Sequence, residues 1–180
     1  MLFRSPDGRT IELTELIDRC RQATLSLTPE RLVALRREML AQPPAFPETT
    51  LTVTNETTLA AIARWQEHAD TLAAMNFASA KNPGGGFLNG SEAQEESLAR
   101  SSALYASLNR APDYYSEHRR LASALYSDRM ILSPHCPVIR DDAGALLDEP
   151  QRVTFITSAA PNAGALRSDD DRRQIGRAHV

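Results

Sequence analysis

Three consecutive glycines, Gly84-Gly85-Gly86, sit between an apolar run of strand length, residues 71–77, and a helical stretch that opens at Gln94. In a strand–loop–helix unit, ligands bind at the carboxyl ends of the strands, where helix N-termini point. Glycines at such a junction let the backbone come close to a ligand and present bare N–H donors. Two standard phosphate loops are excluded. A Walker A loop needs Lys and then Ser or Thr after its last glycine, whereas Phe87 and Leu88 follow Gly86. A dinucleotide fingerprint spaces its glycines, and a contiguous triplet does not fit it. A surface turn is the plainer alternative.

Around that loop the pattern alternates. Leu51-Thr52-Val53-Thr54 is short and β-branched and reads as a strand. Glu56 to Asp70 reads as a helix burying Leu59, Ile62, Ala63 and Trp65, and Thr71 to Phe77 as a second strand. Gln94 to Leu108 and Pro112 to Tyr126 read as helices. Met130 to Ser133, Pro137 to Arg140 and Val153 to Ser158 read as strands, with Asp141-Asp142-Ala143-Gly144 as a turn. Strands alternating with helices predict an α/β layered domain. The first forty residues read as a helical appendage. Thr28-Pro29-Glu30 is a helix start, Leu32, Leu35 and Met39 make one apolar stripe, and Pro43, Pro44 and Pro47 end it.

A length of 180 residues fits one domain. Twenty Lys+Arg against 23 Asp+Glu give a net charge of −3, which disfavours direct nucleic-acid binding. No run approaches the roughly 18 apolar residues of a membrane helix. The N-terminus has no apolar signal-peptide core, so no membrane partner and a cytoplasmic location are expected. Cys20 and Cys136 are too few for a disulfide framework or a four-thiolate zinc site. His68, His118, His135 and His179 show no paired ligand spacing, so no metal is expected. Tyr105, Tyr114, Tyr115 and Tyr126 are assigned to core packing rather than to stacking on bases.

Gln94-Glu95-Glu96 opens the helix after the loop. Ser91 through Gln94 matches a capping box, and acids in a first turn favour the helix dipole, which is a purely structural account. Beside a ligand loop, both carboxylates would also lie next to whatever it holds. Adjacent helical residues point about 100° apart, so the pair cannot flank a bond from opposite faces. One would act as general acid/base while the other orients the substrate. A helix N-terminus lowers a carboxyl pKa, whereas a general acid near neutrality needs it raised by burial or a like charge.

The glycine triplet, seven residues, then Gln94-Glu95-Glu96 resembles the signature of poly(ADP-ribose) glycohydrolases, and Asn76-Phe77-Ala78-Ser79-Ala80-Lys81-Asn82-Pro83 resembles their microbial branch. Leu98-Ala99-Arg100-Ser101-Ser102, Pro137-Val138-Ile139-Arg140-Asp141-Asp142 and Ser158-Ala159-Ala160-Pro161-Asn162-Ala163-Gly164 are similar to further family segments. The resemblance implies a macrodomain-like three-layer α/β/α fold, with a helical N-terminal extension over 1–47 and a partial catalytic domain over 48–174. It implies hydrolysis of ribose–ribose O-glycosidic bonds through an oxocarbenium-like state, without metal or cofactor. The expected partners are poly(ADP-ribose) or ADP-ribosylated proteins, with ADP-ribose as product. Glu96 matches the catalytic glutamate, which would protonate the leaving ribose oxygen and then activate water; Glu95 matches the partner that holds ribose hydroxyls. Gly84, Gly85 and Gly86 match the loop lining the scissile ribose and diphosphate. Asn82 and Gln94 complete the expected substrate-binding set, with Asn76 and Ser79 as further candidates. Val53 to Thr57 resembles the macrodomain strand whose acid meets adenine, which nominates Glu56. The alternative is a non-catalytic reader of ADP-ribose, which has no need of the Glu95–Glu96 pair.

The sequence also departs from the family, which continues with another helix, a strand and a second glycine-rich loop over the diphosphate. Only Gly164 and Gly176 follow Gly144. The last six residues, 175–180, are what a nucleotide string resembling a sequencing adapter would encode. The expectation is a fragment whose own sequence stops near Gln174, lacking the C-terminal part of the sheet, and weakly active or inactive.

Overall fold

The computed structural model describes residues 2–46, 48–69, 71–122 and 125–161. Asn162 to Gly164, the boundary at Gln174 and the tail with His179 lie outside them.

Three short strands interrupt the N-terminal stretch that reads as helical. β1 (Leu2–Arg4) and β2 (Thr10–Glu12) pair antiparallel, and β3 (Leu25–Leu27) follows α1 (Thr14–Ala23). The segments are too short to show period-2 alternation in sequence, and β3 is a strand because it pairs with a distant partner. α2 (Pro29–Leu40) starts as its residues predict: Thr28 Oγ1 accepts the Arg31 N–H and Pro29 opens the first turn. It buries no residue fully.

Leu51 to Thr54 carries no strand, and Leu51 and Val53 are almost fully exposed. α3 (Thr58–Trp65) is shorter than the stretch that reads as helical; Thr57 caps it, and Leu59 and Ile62 turn inward. Ala63 and Trp65 face solvent instead, Trp65 under the Arg64 guanidinium. β4 (Ala73–Phe77) leads into the glycine loop, and α4 (Gln94–Ser101) leaves it. Helix α5 (Leu104–Leu108) is separate from α4, because Ser102 turns extended and bridges to Val138. α6 (Pro112–Arg120) ends well before Tyr126. β5 (Met130–Arg140) and β6 (Leu146–Ser158) form a long hairpin over the Asp141–Gly144 turn. What reads as two strands is one strand with a bulge between Ser133 and Cys136.

The main sheet has the order β3-β5-β6-β4, with β4 parallel to β6 and the other pairs antiparallel. Ile131, Val153 and Phe155 bury one face of it against Leu98 of α4, Leu104 and Leu108 of α5, Tyr114 and Tyr115 of α6, and Cys20 of α1. That core packs α4 against β4 and β5, and so sets where the loop between β4 and α4 can go.

Candidate active site

After Phe77 the chain leaves the sheet through a last ladder bond, Ala78 N–H to Ser158 C=O at 3.0 Å. Ser79 Oγ then winds the loop by accepting the N–H groups of Lys81 and Asn82, at 3.3 and 3.2 Å. Asn82 C=O takes the Gly85 N–H at 3.0 Å, and a single 3-10 turn, Phe87–Asn89, brings the chain back over the start of α4.

There Glu95 and Glu96 are both buried, 3% and 8% exposed. Glu95 Oε2 accepts the Ser79 N–H at 2.6 Å, and its Oε1 faces Asn76 Nδ2 at 3.4 Å. Asn76, wholly buried on β4, also donates to Thr157 Oγ1 of β6 at 3.1 Å. Glu96 Oε1 accepts the Gly86 N–H at 2.9 Å. The two acids thus hold the same loop at its start and at its glycine triplet.

The triplet is what lets the loop lie on them. Gly85 has φ +59°, and a Cβ there would stand 2.9 Å from Glu96 Cδ and 3.2 Å from Glu95 Oε2. Gly84, at φ +68°, leaves room for the Phe87 ring, which packs edge-on against Tyr105 with centroids 4.8 Å apart.

The acids differ electrostatically. Burial pushes Glu95 up to about 7, with the neighbouring Glu96 charge adding to it, against the Ser79 and Asn76 hydrogen bonds. Burial acts on Glu96 too, but the Gly86 N–H, the N–H groups of the helix start and Arg100 outweigh it and hold this carboxyl below its ordinary value. In the free protein the proton therefore sits on Glu95 before Glu96. Burial, then the charge of Glu95, pushes the phenols of Tyr114 and Tyr115 well above their usual range.

Gln94 forms no capping box; the N-cap is Ala93, without a side-chain bond. Its amide grips β4 instead, accepting the Phe77 N–H at 2.9 Å and donating to Met75 C=O at 2.7 Å and Thr58 Oγ1 at 3.2 Å. Glu56 takes two N–H bonds from Arg64, at 2.5 and 3.1 Å, and the Thr54 hydroxyl. Arg64 and Thr54 hold it below the usual carboxylate range. Glu56 and Gln94 line one cavity of about 420 Å³ together with Thr57, Thr58, Glu92 and Asp142. Asn82 is exposed on the outer rim of the loop. Sequence reasoning did not reach Thr157; Tyr114 and Tyr115, assigned to core packing, do lie in the core, but that they feel the charge of Glu95 was not foreseen. The only local signal was strand or helix spacing, which marks a core position and not its neighbours.

Among the described residues no group of His, Cys, Asp and Glu could hold a metal ion, and no helix is long and apolar enough to cross a membrane.

The family described as microbial-type PARG (poly(ADP-ribose) glycohydrolase), catalytic domain, matches residues 1–141. The structure is similar to that of poly(ADP-ribose) glycohydrolase from Thermomonospora curvata bound to the inhibitor ADP-HPD, with TM-score 0.87 and 46% identity, covering 98% of this chain and 63% of that one. It is also similar to the Deinococcus radiodurans enzyme in complex with ADP-ribose, with TM-score 0.80 and 47% identity over 93% of this chain and 65% of that one. The chain thus spans less than two thirds of the length of these solved relatives. No curated protein matches it.

Proposed function

The chain belongs to the microbial-type poly(ADP-ribose) glycohydrolase family, and from that membership we propose that it carries the catalytic half of an enzyme that hydrolyses ribose–ribose O-glycosidic bonds and releases ADP-ribose. The observation that carries this reading is the Gly86 N–H bond to Glu96, made in a loop where Gly85 leaves no room for a Cβ. It fixes one oxygen of an ionised, slightly exposed carboxylate, and the proposal assigns the other to the ligand.

A sugar seated on the loop displaces water from Glu96, and desolvation raises its pKa so that it takes up a proton. Glu96 then protonates the leaving ribose oxygen as the C1–O bond breaks and positive charge spreads over the ring. Water adds to C1 and returns a proton to Glu96. Glu95, locked by Ser79 and Asn76, orients ribose hydroxyls, and Glu56 with Gln94 offers a purine site in the shared cavity. The free thiols of Cys20 and Cys136 suit a cytoplasmic enzyme.

The second diphosphate loop has no counterpart among these 180 residues. Without such a loop several charge-assisted hydrogen bonds of about 1.5–3 kcal/mol each are forfeited, so these 180 residues by themselves are expected to turn over polymer slowly or not at all. The test compares ADP-ribose release by this chain, by a version extended to the length of its relatives, and by that version carrying Glu96→Gln. A hydrolase requires the extended version to act and Glu96→Gln to slow it about 10²–10⁴-fold. Unchanged turnover in that variant rejects the assignment of Glu96. Binding of ADP-ribose without any turnover selects the reader.

A further inference from the structure

We propose that a second cavity, of about 360 Å³ between the first half of the glycine loop and Tyr126, is a second nucleotide subsite that takes the unit on the other side of the scissile bond. The inference rests on the hydrolase reading above. Ser79, Lys81, Asn82, Tyr126 and Ala160 line this cavity, and none of them lines the cavity of Glu56 and Gln94.

Tyr126 has a left-handed backbone, φ +58°, shared among described non-glycine residues only by His135. Such a conformation is strained and persists where the surroundings over-determine it. Here they do. His118, wholly buried on α6, pairs its Nε2 with the Ser127 hydroxyl at 2.8 Å and sets its ring against that of Tyr126, centroids 5.6 Å apart. The next residue, Arg119, donates to the Lys81 carbonyl. Consecutive residues of one helix therefore hold both walls of the cavity, the aromatic one and the loop.

The chemistry of the walls selects the ligand. The half-buried phenol ring offers a face for a base, the exposed Lys81 offers a cation for phosphate, and the exposed Asn82 offers an amide. The same stretch of loop holds Glu95 through the Ser79 N–H, so one wall of this cavity is bonded directly to the acid pair. A polymer of ADP-ribose presents a nucleotide on each side of the bond to be cut. One purine takes the Glu56 cavity and the next stacks on Tyr126.

Photolabelling with 8-azidoadenosine 5′-monophosphate, mapped by peptide mass spectrometry, tests this on the intact chain, Tyr126→Gly and Tyr126→Phe. Glycine suits the left-handed backbone, so Tyr126→Gly removes the ring without adding strain. Two saturable labels are expected, one near Glu56 and Gln94 and one near residues 79–82. Tyr126→Gly should lose the second about ten-fold and keep the first, while Tyr126→Phe keeps both. Labelling confined to the Glu56 cavity, or a loop label indifferent to Tyr126→Gly, overturns the second subsite and leaves the hydrolase reading standing. No saturable label anywhere overturns the second subsite and the Glu56 purine site together, and hydrolysis is then judged by the extended version alone.

Discussion

At Gly85 the backbone requirement and the chemistry coincide. Its positive φ costs an L-residue about 1–2 kcal/mol, and any Cβ would run into the carboxyl group of Glu96. Gly85→Ala should therefore lower stability by about 2 kcal/mol or more in urea unfolding, whereas Gly144→Ala, at φ +81° in open space, should cost only the backbone term. Equal losses at the two positions would mean that Glu96 does not press on the loop. Glu95 makes a second prediction, in pH. Its carboxyl is raised from 4.5 to about 7, so the fold favours the protonated form. That contribution is complete below pH 4.5 and is lost as pH rises through 7. Glu95→Gln mimics the protonated acid and removes the dependence. Between pH 5 and pH 8 the wild-type chain should lose on the order of 2–3 kcal/mol relative to this variant, read from unfolding at each pH. A constant difference would place the raised pKa elsewhere. The glycines and acids were legible in the sequence because each carries its own chemistry. The Asn76–Thr157 bond beneath Glu95 was not, since its partners lie 81 residues apart and look like ordinary strand positions.

Among the elements, α4 shows how a loop is held in register with a sheet. Gln94 reaches the open edge of β4 and satisfies the Phe77 N–H and Met75 C=O with one amide, which places Glu95 and Glu96 directly above the strand's end. Gln94→Ala should cost about 1–2 kcal/mol, because water can replace part of the lost bonding at an exposed edge. The sharper readout is hydrogen exchange: the Phe77 amide should lose protection while the Ala78 amide, bonded to Ser158, keeps it. Protection lost equally at both would indicate that the strand itself had frayed. The sequence predicted the start of α4 but not its end. Leu98, Leu104 and Leu108 keep buried positions that a continuous helix could also explain, yet Ser102 leaves the helix, bridges to Val138, and bonds Leu98 C=O at 2.6 Å and Leu104 N–H at 3.1 Å. The bulge after Ser133 escaped for the same reason. Both breaks are imposed by pairing across the fold, and no local window contains the partner.

Across the whole molecule, the edge of β4 and the stretch before Glu56 both present apolar side chains to solvent. Leu51 and Val53 alternate as a strand would, yet they are 89% and 91% exposed, and no described strand pairs with them. A β-branched run becomes a strand only where a neighbour takes its N–H and C=O groups, so alternation alone over-predicted here. Phe77, at the end of β4, is 65% exposed as well. An edge strand with apolar side chains is a template for another chain wherever its backbone groups are not already taken, as Gln94 takes the Phe77 N–H and Met75 C=O. The 180-residue polypeptide is therefore expected to bind a hydrophobic dye and to self-associate as its concentration rises, measured by sedimentation velocity. Extension to the length of its relatives should suppress both while raising polymer turnover, if the added residues cover this edge and supply the second diphosphate loop. The two effects are separable. An extended chain that becomes monomeric without gaining activity would show that the edge had been covered and that the catalytic assignment of the loop was at fault. Activity gained with self-association unchanged would place the missing ligand contacts away from β4. A 180-residue chain that stays monomeric and dye-silent and hydrolyses polymer as fast as the extended one would remove the case for anything missing.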